Sequence, residues 1–473
     1  MKISFLYVNP FNNTGIPIGL AYLIAILKSR GHELSFFETT FRDFNYSDFN
    51  VTGKMDKNGR KIISDFKSFV RKNKPDLIGV NSASLCLGFS LEMLKTIKDR
   101  PATIFGGVGA NVGYAKLIKE DAVDHICVGF GEDCLPAFVN NFEAGAPLDE
   151  VPNLVYKKDG RVIINKFSQD IDLSRLPMPD WGLFDERHFE RIFKGEVKRW
   201  GNFQLTRGCP FNCAYCVNAY YHKDLKMKIY RFPVEKIIEE IKVLTKRYRL
   251  DIVRIFDECF GFGDLGYYKR FAKLYKQATE LPTIIETRPE SITAESVKIL
   301  KDMRCISVSI GVESGDEEQR RQMLNRYVSN DIIKKAFGLL RKEKIRTASY
   351  NIMGFPGDTR SKIFKTIKLN KECDTDFINT FLFCPFPHTM LREFCVKNSL
   401  LETDAIVDYG QTSIIKNDKL SKDDLYGIYR TFKYYVKMPE YLHPLIARAE
   451  KDDDTGNHIL TLLEEACVLK GGR

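Results

Sequence analysis

Short apolar runs alternate with amphipathic stretches over residues 1–145. KISFLYVNP reads as a strand ending in a polar turn, and IGLAYLIAILKSRG as a helix with glycine near its C-terminus. ELSFFETT, DLIGVNSAS, ATIFGGVGAN and AVDHICVGFGED predict further strands, separated by helical patterns at KIISDFKSFVRKN, SLEMLKTIKD and, after the last strand, CLPAFVNNFEAG. Strand–helix alternation with short loops predicts an α/β fold with an open, doubly wound parallel sheet. Ligands of such sheets gather beyond the carboxyl ends of the strands. Here those ends carry Asn9, then Ser82, Ala83 and Ser84, then Gly106, Gly107, Val108 and Gly109, and last Gly129 to Gly131 with Glu132.

Residues 146–198 predict a small hairpin and then an extended linker, where Pro177 and Pro179 forbid a helix. Alternation resumes over 199–390. FQLTRG, DIVRIFDE, TIIETRPE, CISVSIGVES, RTASYNIMGFPG and FINTFLFCPFP read as six strands with five helices between them, a partial (β/α)6 or complete (β/α) barrel. Polar residues collect at the strand exits: Asp257-Glu258, Glu286 with Arg288, Glu313, and Pro356-Gly357. Residues 391–473 read as mostly helical, with a charged KDDDTG turn, and are expected to cap the barrel and help choose the substrate. Within them the tyrosine-rich DLYGIYRTFKYYVK carries an aromatic stripe at helical spacing, which predicts core packing over a pocket lining.

Composition changes this picture little. Hydrophobic residues at 44% and charged ones at 28% suit a globular chain of 473 residues with more than one core. The net charge of +10 is spread as lysines and arginines interleaved with acids, as in KIIEEIKVLTKRYR, so solvated helix faces are expected and nucleic acid is not. The run PIGLAYLIAIL is too short to span a bilayer, and the N-terminus lacks the pattern of a signal peptide; no membrane span and a cytoplasmic location are expected.

Chemistry concentrates in TRGCPFNCAYC, residues 206–216. Cys209, Cys213 and Cys216 stand apart from the other nine of the twelve cysteines, which are scattered through apolar runs. A structural zinc site needs four ligands, and no second pair exists: His222 is alone and Cys259 belongs to another strand. Three thiolates suit a [4Fe-4S] cluster whose fourth iron keeps an open position, which argues for chemistry on a ligand.

The pattern CxxxCxΦC on the first loop of a (β/α) barrel resembles that of the radical S-adenosylmethionine (SAM) superfamily. The resemblance implies that Cys209, Cys213 and Cys216 hold the cluster and that its open iron chelates SAM. Cleavage of SAM there would give a 5′-deoxyadenosyl radical that abstracts hydrogen from substrate. Phe256-Asp257-Glu258 takes the place of the family's Gly-Gly-Glu-like turn, so Asp257 or Glu258 is expected at the SAM ammonium. By the same resemblance Ser309 and Glu313 fall at the ribose, Tyr215 near adenine, and Gly354, in NIMGFPGDT, on the strand backing it. Arg288 pairs with the SAM carboxylate or with Glu286.

A doubly wound sheet before such a barrel, joined by LPMPDWGLFD, resembles the cobalamin-binding subgroup. Its corrin and nucleotide tail are expected against GGVGAN and VGFGED, and the wider set is Asn9, Ser82, Ala83, Ser84, Gly106, Gly107, Val108, Gly129, Gly131 and Glu132. The D-x-H-x-x-G signature of cobalamin mutases is absent. Asp124-His125 has the wrong spacing, and His125 reads as a core histidine, so cobalamin without a histidine on its lower face is expected. A degenerate domain without cofactor is the alternative, and a nicotinamide site is disfavoured by the glycine spacing. The resemblance implies methyl transfer to an unactivated carbon or a phosphinate of a small-molecule or natural-product substrate, with an external flavodoxin- or ferredoxin-like reductant. Ring formation or skeletal rearrangement with the same cofactors, and a non-catalytic iron–sulfur or zinc module, are the rival readings.

Overall fold

The computed structural model describes residues 1–168, 170–404 and 413–469. The first sheet has the strand order Glu33–Glu38, Lys2–Val8, Leu77–Ser82, Ala102–Gly106, His125–Cys127, Leu154–Lys158, Arg161–Ile164. Its first five strands are parallel. The predicted hairpin does not stand apart: its two strands continue the sheet antiparallel from His125–Cys127. The order reverses between Lys2–Val8 and Leu77–Ser82, which opens a crevice at their carboxyl ends. Two helices lie outside the expected pattern, Tyr46–Thr52 and Val108–Leu117. The second starts straight after Gly107, so GGVGAN carries the strand end at Gly106 and then the first turn of a helix.

The second sheet runs Phe377–Leu382, Arg346–Met353, Cys305–Glu313, Thr283–Thr287, Ile252–Ile255, Glu196–Phe203, Glu190–Phe193 and curls without closing, a half barrel. Its first parallel strand is Glu196–Phe203, so the predicted strand FQLTRG lies mostly beyond it. Thr206–Arg207 instead pairs antiparallel with Tyr230–Arg231 and clasps the cysteine loop. Glu190–Phe193, expected as linker, is an added antiparallel edge strand. Its neighbour in the linker, Trp181, is buried among Phe189, Phe203 and Tyr248.

One apolar cluster runs through both sheets, from Ile3 and Phe5 past Trp181 to Val308 and Phe337. It is pinned by Tyr22, whose hydroxyl donates to Glu240 at 2.8 Å, from the first helix of one unit to the first barrel helix of the other. The C-terminal helices Lys422–Lys437, His443–Ala449 and Asp454–Leu469 pack on the flank of the last barrel strands, with Ile428, Phe432 and Tyr435 in a core with Met353, Ile363 and Leu382. The aromatic stripe is therefore core. The KDDDTG turn overlaps the last of these helices, which begins at Asp454. Among the described residues no helix is long and apolar enough to cross a membrane.

Candidate active site between the two sheets

The cysteine loop leaves the clasp at Gly208, whose φ of +93° and 2.5 Å separation of an added Cβ from the Lys228 carbonyl admit only glycine. Its far side is held by backbone bonds from Ala214 N to Leu324 O, 3.0 Å, and from Leu391 N to Ala214 O, 2.9 Å. Cys213 is buried, Cys209 and Cys216 are half-buried, and none is in a disulfide. Burial pushes the Cys209 thiol up to about 12 and that of Cys216 to about 11, with the neighbouring thiols adding to the effect. Thiolates at this site therefore need a cationic centre to hold them deprotonated. Among the described residues no three acidic, cysteine or histidine side chains close on a single metal-ion position. A four-iron cluster makes a different demand, since each cysteine binds a separate iron. The free trio on one pinned loop fits that demand.

Arg288 sits directly on this loop. Its Nη1 donates to Cys213 Sγ at 3.1 Å, its guanidinium lies 3.6 Å from the Phe211 ring centre, and its Nη2 donates to Glu290 at 2.6 Å. The alternative partner expected for it, Glu286, is taken by Arg254 and by the Tyr350 hydroxyl. Asp257 also departs from expectation. Its carboxylate accepts from Leu205 N (2.8 Å), Thr206 N (3.0 Å) and Thr206 Oγ1 (2.9 Å), so it staples the strand exit and is not free for a ligand. Burial pushes this carboxyl up to about 7. Glu258, in contrast, is exposed to the cavity described below, and the protein around that cavity raises its carboxyl above the ordinary glutamate value by desolvation.

Glu313 is buried at the end of its strand with φ +64°, an uncommon backbone conformation for a side-chain-bearing residue. Arg326 reaches it at 3.4 Å and donates also to the Tyr215 hydroxyl (3.3 Å) and the Gly311 carbonyl (2.7 Å). Burial raises both the Glu313 carboxyl and the Tyr215 phenol. Ser309 lies lower in the barrel, half-buried, level with Glu286 in the sheet register. Gly354, expected on the strand backing adenine, turns its bare Cα toward protein: an added Cβ would lie 3.0 Å from Leu425 of the C-terminal helix. Its absent side chain makes room for protein.

A cavity of about 680 Å³ runs from the carboxyl ends of the first sheet to the mouth of the barrel. Gly106, Gly107, Val108, Gly129, Gly131 and Glu132 line it on one side; Arg207, Cys209 and Glu258 line it on the other. A Cβ on Gly106 would meet no atom within 4 Å, so the space above that backbone is the cavity itself. Gly107, at φ +86° and ψ −175°, holds a conformation essentially confined to glycine, with Asn81 Oδ1 2.7 Å from an added Cβ. Val108 and Phe256 are large apolar side chains left exposed, 47% and 43%, and both face this space. An open backbone rim with apolar walls fits a broad, flat ligand.

Four of the expected cobalamin contacts are off this wall. Asn9 is buried and bonds Asn13 O at 2.7 Å, Ser82 bonds Ser90 at 2.8 Å, and Ala83 and Ser84 are not among the residues lining the cavity. Ser84 Oγ is buried with no partner. Glu132 lines the cavity but is spent on Arg207 Nη1 at 2.6 Å, a buried ion pair between the two sheets. His125 is a core histidine, as expected, with Nδ1 3.0 Å from Thr103 O and its ring 4.5 Å from that of Phe138. Sequence reasoning missed Arg207, Arg326, Arg191 and Arg254. Only Arg207, inside the cysteine motif, carried a signal; the rest gain meaning from distant partners.

A doubly wound sheet facing a curled half barrel, with a three-cysteine loop at the shared cavity, defines a two-cofactor α/β enzyme class. The comparisons name its parts. Residues 6–139 match the B12 binding domain and residues 203–369 the radical SAM superfamily. The chain thus carries a B12-binding domain followed by a radical SAM domain, and with them its cofactors are cobalamin, SAM and a [4Fe-4S] cluster. It is 24% identical over 400 residues to the uncharacterized methyltransferase PH0819 of Pyrococcus horikoshii, covering 82% of this chain and 80% of that protein. It is 23% identical over 447 residues to the anaerobic magnesium-protoporphyrin IX monomethyl ester cyclase of Rubrivivax gelatinosus, covering 90% and 75%. In fold it is similar to the radical SAM methyltransferase TsrM of Kitasatospora setae, solved with cobalamin and a [4Fe-4S] cluster, at a TM-score of 0.68, 14% identity, and 98% and 99% coverage.

Proposed function

We propose that this enzyme transfers a methyl group to an unactivated carbon, or a phosphinate phosphorus, of a small-molecule or natural-product substrate. The observation that carries the reading is the continuity of one cavity from the glycine loops of the first sheet to Cys209. A substrate in that space meets both cofactor walls at once, which is the proximity a two-centre reaction requires. When bound, the cluster and SAM supply the radical that removes a hydrogen atom, and cobalamin carries the methyl group. Cys209, Cys213 and Cys216 hold the cluster in this reading, and Arg288 supports it through its hydrogen bond to Cys213 Sγ. Glu258 takes the SAM ammonium, and Glu313, Tyr215 and Arg326 border the nucleoside. Gly106, Gly107, Val108, Gly129 and Gly131 receive the corrin. The similarity to PH0819 and the fold of TsrM support methyl transfer. An external flavodoxin- or ferredoxin-like protein delivers the electron.

The test is anaerobic turnover with methyl-deuterated SAM and candidate substrates. Labelled product together with S-adenosylhomocysteine and 5′-deoxyadenosine is expected. Substrate conversion with 5′-deoxyadenosine and no S-adenosylhomocysteine would sink methyl transfer. That outcome would favour the second reading, ring formation, which the similarity to the Rubrivivax cyclase over 90% of the chain supports.

A further inference from the structure

Two arginines of the cavity wall belong to neither cofactor assignment. Arg191 comes from the edge strand Glu190–Phe193 and Arg254 from Ile252–Ile255, with Glu196–Phe203 between them in the sheet. Both line the cavity at its barrel end. Arg254 is ion-paired to Glu286, its side chain only 15% exposed, with its guanidinium 4.6 Å from the Phe256 ring centre. Glu286 also accepts from the Tyr350 hydroxyl at 3.2 Å, which holds this corner rigid. Arg191 donates Nη2 to the Thr14 carbonyl and lies 5.4 Å from the Trp200 ring centre, while its Nε is buried with no partner.

Among the described residues Glu286 is the only carboxylate paired with either guanidinium. Burial, and after it the charge of Arg254, lowers Arg191 to about 10, with Glu286 acting in the opposite direction. Two guanidiniums against one carboxylate leave positive charge facing a partly enclosed space, a costly arrangement unless an anion fills it. The planar fork of arginine, with donors unspent, matches a two-oxygen anion.

We infer that Arg191 and Arg254 form a receptor for an oxyanion of the substrate, a carboxylate or a phosphate-type group. The inference rests on the proposed function in one respect, that this cavity is where substrate binds, and it names a substrate class for it. An anion anchored there would direct the rest of the molecule along the cavity toward Cys209.

The experiment uses enzyme reconstituted with cluster, cobalamin and SAM, at fixed ionic strength. Benzoate and methylphosphonate are titrated separately by calorimetry, with choline as cationic control. Saturable binding of at least one anion is expected, weakened about ten-fold or more in Arg191→Gln and Arg254→Gln, as loss of a charge-assisted bidentate contact requires. The surface control Arg270→Gln, whose side chain is 65% exposed, is expected to bind like the wild type. Benzoate alone would identify a carboxylate, methylphosphonate alone a phosphate-type group. Arg191→Gln decides the matter where Arg254→Gln, which leaves Glu286 unpaired, fails to fold. Absence of saturable binding to either anion, or equal binding in wild type and Arg191→Gln, would overturn the receptor. Cluster absorbance and SAM cleavage are read in the same samples, so anion binding lost with both retained is local to the receptor. A wild type that binds anion here, yet in the methyl-deuterated SAM experiment converts substrate with 5′-deoxyadenosine and no S-adenosylhomocysteine, unseats the proposed function and leaves the receptor standing.

Discussion

On its N-terminal wall the cavity is bounded by backbone, with Gly106, Gly107, Gly129 and Gly131 at the strand exits, whereas its barrel wall is bounded by charge, with Arg191, Arg207, Arg254 and Glu258. The first wall works by what it lacks. A Cβ at Gly106 would project into the cavity, and one at Gly107 would strike Asn81. The second works by pairing. On the wall Arg254 is held by Glu286 and Arg207 by Glu132; off the cavity lining, Arg326 is held by Glu313 and Tyr215, and Arg288 by Glu290 and Cys213. A large flat ligand recognised by shape asks for an open rim. A cluster and a charged sulfonium cofactor ask for fixed electrostatics in a place where unpaired charge is expensive.

The largest effect is expected on the charged wall. Cys213→Ala removes the buried thiol of the loop and should leave the purified protein almost free of iron, with no SAM cleavage, while cobalamin retention is reduced little. Iron analysis and the corrin absorbance of the same sample check both halves; parallel loss of the two would show that the walls are not separable.

On the glycine wall Gly107→Val forces a branched side chain into φ +86°, ψ −175°, at a cost of about 1–3 kcal/mol in backbone strain. Cobalamin binding should fall severely, with iron content kept. Gel filtration after loading with hydroxocobalamin measures it, and wild-type retention would remove that loop from the corrin site.

The walls meet at the Glu132–Arg207 pair, whose side chains are 4% and 8% exposed. Arg207→Met leaves Glu132 buried without its partner and should cost about 3–5 kcal/mol. The double variant with Glu132→Gln should recover part of that loss. A double-mutant cycle from denaturant unfolding gives the coupling, and additive single losses would show that the pair does not join the sheets.

The last effect concerns a single titrating group, Asp257. Its native carboxyl, pushed up to about 7 by burial, binds a proton more tightly than the unfolded one near 3.8. The folded state thus holds the extra proton between those values, and stability from this group falls as pH rises from about 4 to about 7. Asp257→Asn should flatten that decline; melting temperatures at pH 5 and pH 8 test it, and an unchanged difference would mean that Asp257 does not carry it.

Much of this architecture was legible in the chain. The alternation of apolar runs predicted both sheets because strand and helix periods are local properties, and the cysteine spacing picked out its loop because the three thiols are neighbours in sequence. Errors arose where an element depends on a distant partner. FQLTRG and the 154–164 hairpin took their places from pairing across the sheets, and Gly354 faces Leu425 across 71 residues. Asp257 looked like a ligand because an acidic exit pair reads the same whether it faces a cavity or the backbone of Leu205 and Thr206.

By itself, then, the sequence determined the order of the elements, the three-cysteine loop and the glycines at the strand exits, all governed by contacts within a few residues. Tertiary structure alone decided that both sheets open on one cavity, that Glu132 is spent on Arg207, and that Arg191 and Arg254 face the same space. The physical reason is that a charge's role depends on what neutralises it, and the partners of Arg207 and Arg254 lie 75 and 32 residues away in the chain.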